Sequence, residues 1–212
     1  MTERPQSLGE EIANSLSHGV GFVAALASAP ILVVTTAQTG RMVNIIGAAI
    51  FAATMVLLYC ASTFYHAVPH RRAKALLRKL DHGAIFLLIA GTYTPFMLGA
   101  LNGPWGWTLL GLVWGLAAVG VTLKAFDLIE HPLASLGLYL LMGWLCIFAL
   151  GPLLERVPLH GLLLLGAGGI AYMAGVAFFA TDSRVRYGHF IWHLFVLTGT
   201  GLHFFAVLRY AI

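Results

Sequence analysis

Charged side chains are scarce in this chain: Asp, Glu, Lys and Arg make up 9% of its 212 residues, against about 25% in a soluble domain. Eight acidic and twelve basic groups cannot give a chain of this size a water-compatible surface, which excludes an ordinary soluble globule. Cysteine is nearly missing too. Cys60 and Cys146 both lie inside apolar runs, so a disulfide scaffold and a Cys-rich zinc knuckle are excluded. There is no strand-type alternation of the outer-membrane kind, no strong internal repeat, no low-complexity tract and no linker long enough to separate a second domain. The segment from Met1 to His18 carries three Glu and one Arg, unlike the basic n-region of a cleaved signal peptide.

Apolar residues are abundant, at 59%, and there are 24 Gly besides. That composition suits helices packed closely in a bilayer, with membrane lipids as partners. A hydrocarbon core about 30 Å thick needs roughly 20 helical residues. Seven apolar runs approach that length, near residues 19–37, 43–65, 82–101, 106–126, 133–153, 159–180 and 189–209. Turn-type clusters such as Asn102-Gly103-Pro104 and Val157-Pro158 separate them. The sequence therefore predicts an all-α, integral-membrane seven-helix bundle, residues 19–212, behind a short amphipathic lead-in, residues 1–18. In that lead-in Glu11, Asn14 and His18 share one helical face.

Lys and Arg set the expected orientation. Arg4, Arg71, Arg72, Lys74, Arg78, Lys79, Lys124, Arg184 and Arg186 fall on one side, and Arg41, Arg156 and Arg209 on the other. The positive-inside rule then places the N-terminus in the cytoplasm and, with seven spans, the C-terminus outside. The basic second loop accounts for the net charge of +4 as a topology signal beside anionic lipid, with no need for nucleic acid.

Ionisable residues at span ends are expensive and count as candidate functional residues. His66 closes the second run, Asp81 opens the third, and His189 and His193 open the seventh. By the parity above all four ends converge on the cytoplasmic side. His189 and His193, at i and i+4, share a helix face about 6 Å apart, within reach of one metal. His66 can supply a third imidazole, leaving an open position as in a catalytic zinc site. Asp81 can accept a proton from, or orient, water at that metal, and Ser62, one turn before His66, can hydrogen-bond nearby. The HxxxH spacing alone is a weak signal, since a membrane-interface histidine is more often snorkelled or hydrogen-bonded than ligating. His70, His131 and His160 take that plain reading. His203 lies about 15 Å beyond His193 along the helix and cannot share its metal, so it lines a cavity or bonds across helices.

The strings Ser62-Thr63-Phe64-Tyr65-His66, Asp81-His82-Gly83, Ala90-Gly91-Thr92-Tyr93-Thr94-Pro95 and His189-Phe190-Ile191-Trp192-His193 resemble the hemolysin III family. With Glu11, Asn14 and His18 they resemble the wider progestin and adipoQ receptor superfamily, which includes the adiponectin receptors. The resemblance covers nearly the whole chain. It implies seven helices, N-in and C-out, zinc on His66, His189 and His193, and Asp81 holding the zinc-bound water. Glu11, Asn14, His18, Tyr93 and His203 are expected behind the ligands or along the cavity. The adiponectin receptors and the alkaline ceramidases hydrolyse the amide of ceramide, so the resemblance points to a hydrolase of lipid amides or esters in a bacterial plasma membrane. The short N-terminus and the lack of an outer tail favour the compact bacterial branch over a ligand receptor. Two other classes stay open. One is a non-enzymatic sensor of membrane state with a structural zinc, and the other is the pore-forming cytolysin that the family name suggests. Protein partners are not legible.

Overall fold

The computed structural model describes residues 4–129 and 131–211. Residues 1–3 of the expected lead-in, Glu3 included, and residue 212 lie outside the described residues. Those described form an all-helical structure with no strand. The first helix, α1 (Leu8–Ala37), starts from a capping box. The Ser7 hydroxyl accepts from the Glu10 N–H, and the Glu10 carboxylate accepts from the Ser7 N–H at 2.8 Å. From Leu8 onward, lead-in and first apolar run are thus one continuous helix of 30 residues.

Helix α2 (Met42–Ala67) is joined to α3 (Arg71–Leu98) by residues 68–70 alone. The basic stretch expected as a loop is instead the first turns of α3. Its Arg, Lys, Ala and Leu are strong helix formers, and the His70 ring caps it by accepting from the Ala73 N–H at 3.4 Å. Asp81 consequently sits in the interior of a helix. Helix α4 (Pro104–Ala125) follows.

The fifth apolar run is broken into α5 (Pro132–Trp144), a 3₁₀ turn (Leu145–Ala149) and α6 (Leu150–Arg156). Tyr93 of α3 supplies the reason. Its hydroxyl accepts from the Cys146 N–H at 2.9 Å and lies 2.9 Å from the Met142 carbonyl oxygen. It has inserted itself into the bond that a continuous helix would make between those two groups. Helices α7 (Leu159–Thr181) and α8 (Gly188–Tyr210) complete the chain.

Among the described residues, six stretches are long and apolar enough to cross a membrane: α1, α2, α4, Leu133–Arg156 taken across its break, α7 and α8. Helix α3 is not among them, because its first turns are basic and its remainder carries Asp81, His82, Thr92, Tyr93 and Thr94. The outward faces suit lipid. Val20, Val23 and Ile170 expose 69%, 66% and 72% of their surfaces, side chains that water would not tolerate in continuous rows.

Helices α1, α2, α3 and α4 pack in sequence, α7 packs on α8, and α8 returns to α1. Small residues permit the close approaches. Gly47 of α2 faces the backbone of Pro95, and Gly91 of α3 faces Thr54. The other side of the ring, where α5 and α6 meet α7, is packed more sparsely, and a cavity of about 550 Å³ lies inside it.

A methyl group at Gly47 would land 2.9 Å from Pro95 Cα, backbone that cannot swing aside. Gly47→Ala should therefore destabilise the protein by about 1–3 kcal/mol, read as a lowered thermal-unfolding midpoint in detergent. Gly111→Ala, on α4 with nothing within 4 Å, should not lower the midpoint and, as Ala is the better helix former, should if anything raise it.

Candidate metal centre and its cavity

His66 from the end of α2 and His189 and His193 from the start of α8 meet at one end of the bundle. Each offers a ring nitrogen, and these three atoms lie within 4.8 Å of one another. His66 and His193 are 5% and 2% exposed, and the His189 side chain is 11% exposed. The one-turn spacing of His189 and His193 brings their ring centroids to 4.7 Å, with His66 about equidistant at 5.2 and 5.1 Å.

The tautomer of each ring follows from its neighbours. His66 Nδ1 is 2.8 Å from the Glu11 carboxylate, which also takes the Lys74 ammonium at 2.8 Å. His189 Nδ1 is 2.8 Å from the Asp182 carboxylate. His193 Nδ1 faces the Asn14 backbone carbonyl at 3.2 Å, with the Ser17 hydroxyl at 3.1 Å. Carboxylates and carbonyls only accept, so all three Nδ1 atoms carry a proton, and in the neutral ring, the form that ligates a metal, each Nε2 carries the lone pair. Nε2 of His66 is buried without any hydrogen-bond partner. Three imidazoles, two of them oriented by carboxylates, form a donor set that suits zinc, and an orphaned buried nitrogen on His66 is consistent with a ligand role. The residues present fit the expected metal.

Helix α1 is the element that holds this arrangement. The Glu10 carboxylate, 3% exposed, binds Arg4 at 2.6 Å and accepts from the Tyr187 backbone N–H at 2.9 Å. Tyr187 sits at φ 60°, a left-handed position that costs a non-glycine residue energy. Glu10 holds it there, and so ties the start of α8 to the start of α1.

The remaining candidates separate clearly. Asn14 is fully buried, its side-chain nitrogen 3.5 Å from His66 Nδ1 and held by Gln6. His18 stacks on His193 with centroids 3.5 Å apart, and its Nδ1 is 2.7 Å from the Ser62 hydroxyl. Ser62, Asp81, His18, His189 and His193 all line the polar end of the cavity. Tyr93 and His203 line its deeper part. Tyr93 serves there as the clamp on the broken fifth run, and His203 Nε2 donates to the Leu165 carbonyl at 3.1 Å. His70 and His131 cap α3 and α5. Cys60 and Cys146 are free thiols.

Sequence reasoning missed Asp182, Lys74 and Glu10. Asp182 lies seven residues before His189, and no helical spacing links them because the chain turns between. Glu10 had a readable signal, the Ser7-x-x-Glu10 capping box.

The haemolysin-III-related family model matches residues 6–204. The chain belongs to that family. It is 43% identical to Hemolysin-3 of Bacillus cereus over 212 residues, covering all of this chain and 96% of the relative. It is 42% identical to the Hemolysin-3 homolog of Bacillus subtilis (strain 168), covering 97% and 96%. More distantly, it is 28% identical to the human monocyte to macrophage differentiation factor, covering 95% and 84%. No solved structure matches it. As a haemolysin-III-related chain with six membrane-length apolar stretches among the described residues, it is a multi-pass integral membrane protein.

Carboxylates behind ligating histidines are typically worth 10–100-fold in metal affinity. Glu11→Gln and Asp182→Asn should each weaken divalent-metal uptake by about that factor in a chelator-competition titration. His189→Ala combined with His193→Ala should abolish it.

Proposed function

We propose that this protein is a zinc-dependent hydrolase of lipid amides or esters, set in a bacterial plasma membrane. The observation that carries the reading is the joining of a three-imidazole cluster and a buried carboxylate to a largely apolar cavity of about 550 Å³. A structural metal site needs no such chamber, whereas an acyl chain does.

His66, His189 and His193 would hold the zinc, which when bound polarises a carbonyl and acidifies water. Asp81, 5% exposed and on the cavity wall, takes the proton of the attacking water. The water oxygen bonds to the acyl carbon, the C–N or C–O bond breaks, and the proton passes to the departing amine or alcohol. Fatty acid and amine, or fatty acid and alcohol, are the products. Leu88, Phe96, Leu162 and Val196 line the apolar part of the chamber and would exclude water from the acyl chain. Under this reading α3 joins the six apolar stretches as a seventh span, with the N-terminus and the metal centre on the cytoplasmic side and the C-terminus outside. The count of Lys and Arg supports that orientation.

Elemental analysis of the detergent-purified protein should give about one zinc per chain, lost when His189 and His193 are both replaced by Ala. Wild type should release fatty acid from a mixed panel of lipid amides and esters, and Asp81→Asn should stop release while retaining its zinc. A zinc-loaded, folded wild type that turns over no lipid would overturn the enzymatic reading in favour of a sensor whose zinc clamps α2 to α8. Membrane lysis that persists after chelation would favour a pore-former.

A further inference from the structure

A divalent cation needs a path to the three clustered histidines. The cavity behind them is bordered by Leu150, Leu154 and Ile170, which line it and are themselves exposed. Such a wall suits lipid, and a hydrated ion does not cross it. The other approach is the end of the bundle from which α1 starts. There the Glu11 and Asp182 side chains, 21% and 28% exposed, stand at the surface directly behind His66 and His189. His66 and His193 are nevertheless buried, so something lies over them.

Glu10, Asn14, Ser17 and Gly21 form the buried face of α1 at this end. Glu10 and Asn14 belong to the first two turns, where side chains ordinarily reach water, yet both are buried. Residues 4–7 cover them. The Arg4 guanidinium donates twice to the Glu10 carboxylate, at 2.9 and 2.6 Å, and Gln6 Oε1 accepts from Asn14 Nδ2. Asn14 lies about 9 Å inside the helix, so a bond from Gln6, which precedes the helix, makes the chain fold back over its first turns. Asn14 in turn touches two of the rings. Its side-chain nitrogen is 3.5 Å from His66 Nδ1, and its carbonyl oxygen is 3.2 Å from His193 Nδ1. Gln6 is thus one side chain away from the clustered histidines. Arg4 and Pro5 are exposed and Gln6 half-buried, so polar bonds rather than apolar packing fasten the segment. A stretch held in that way opens locally far more readily than a packed core.

We propose that residues 4–7 are a hinged cover over the metal centre, and that its opening is the step that lets a divalent cation enter or leave. The hinge is the Ser7–Glu10 capping box, which stays with the helix while Arg4 and Gln6 let go. This rests on the reading of the three histidines as a metal site and adds to it the route by which that site is filled. A cover and a ligand support change different quantities. Glu11 and Asp182, behind the ligands, set affinity. A cover that closes alike over the loaded and the empty centre changes entry and release by the same factor and leaves affinity alone.

The test compares the two quantities in the full-length, zinc-loaded protein in detergent. Release is timed by the absorbance of the chelator 4-(2-pyridylazo)resorcinol, and affinity is measured by chelator competition. Gln6→Ala should release zinc about fivefold faster than wild type and Arg4→Ala more than about tenfold faster, the worth of a neutral and of a charge-assisted hydrogen bond. Affinity should stay within about twofold of wild type in both, since only the open fraction of the cover changes. Arg4→Lys, which keeps a charged bond to Glu10, should fall between wild type and Arg4→Ala. Gln6→Ala leaves the capping box and the Arg4 pair intact, so the test stands even where Arg4→Ala, with Glu10 left unpaired, fails to fold. Unchanged release in folded Gln6→Ala would overturn the proposal. So would faster release matched by an equal loss of affinity, which would make the segment a support for the ligands. Wild type that takes up no divalent metal overturns the cover and the metal reading together, whereas normal uptake with unaltered rates in the variants overturns the cover alone. Zinc exchange that responds as expected, without any lipid hydrolysis, supports the cover and refutes only the hydrolase reading.

Discussion

A neutral imidazole has one nitrogen that donates and one that accepts, and in a buried, apolar setting neither can be left to water. Much of this structure depends on how that requirement is met at three histidines. Each Nδ1 is given an acceptor: Glu11 for His66, the Asn14 carbonyl for His193 and Asp182 for His189. The lone pairs are thereby left on Nε2, and three helix ends are drawn to one point. Helix α1 supplies two of the three acceptors, so it belongs to the site although it contributes none of the clustered ring nitrogens. The Glu10 anchor to Arg4 and Tyr187 brings the starts of α1 and α8 together, the geometry that those acceptors need.

The cavity has a separate origin. Tight packing on one side of the ring, where Gly47 meets Pro95 and Gly91 meets Thr54, is balanced by a loose side built around the broken fifth run. A single hydroxyl maintains that break. By taking the place of the bond between Met142 and Cys146, Tyr93 satisfies backbone groups that would otherwise be orphaned among apolar side chains. An irregular backbone is thus tolerated where it borders a cavity. The same chamber runs from the histidines past Tyr93 to His203, so the polar and apolar ends share one enclosure.

A good part of this was legible in the chain itself. Low charge and long apolar runs are properties of composition, and they dictate helices in lipid without reference to any partner. The pairing of His189 with His193 is local, because one helical turn brings them together whatever the rest of the fold does. The convergence of His66 on that pair followed from counting spans, since parity places alternate helix ends on the same side. Less legible were features in which two physical signals compete. Arg71 to Lys79 read as a loop by charge, yet these residues are good helix formers and extend α3 by more than two turns. Residues 133–153 read as one span by hydropathy, and no local feature of that run announces the Tyr93 hydroxyl.

The chain alone therefore determined the class of structure, the helical runs and the residues at which metal chemistry was to be sought, because each depends on hydrophobicity or on spacing within one helix. The tertiary structure alone decided which atoms of those residues are available. Asp182 behind His189, Lys74 behind Glu11 and Gln6 folded back on Asn14 all depend on contacts between segments far apart in sequence or separated by a turn of the chain. No periodicity encodes such contacts. A hydrogen bond is settled within a few tenths of an ångström, and only the packed helices bring donor and acceptor to that distance.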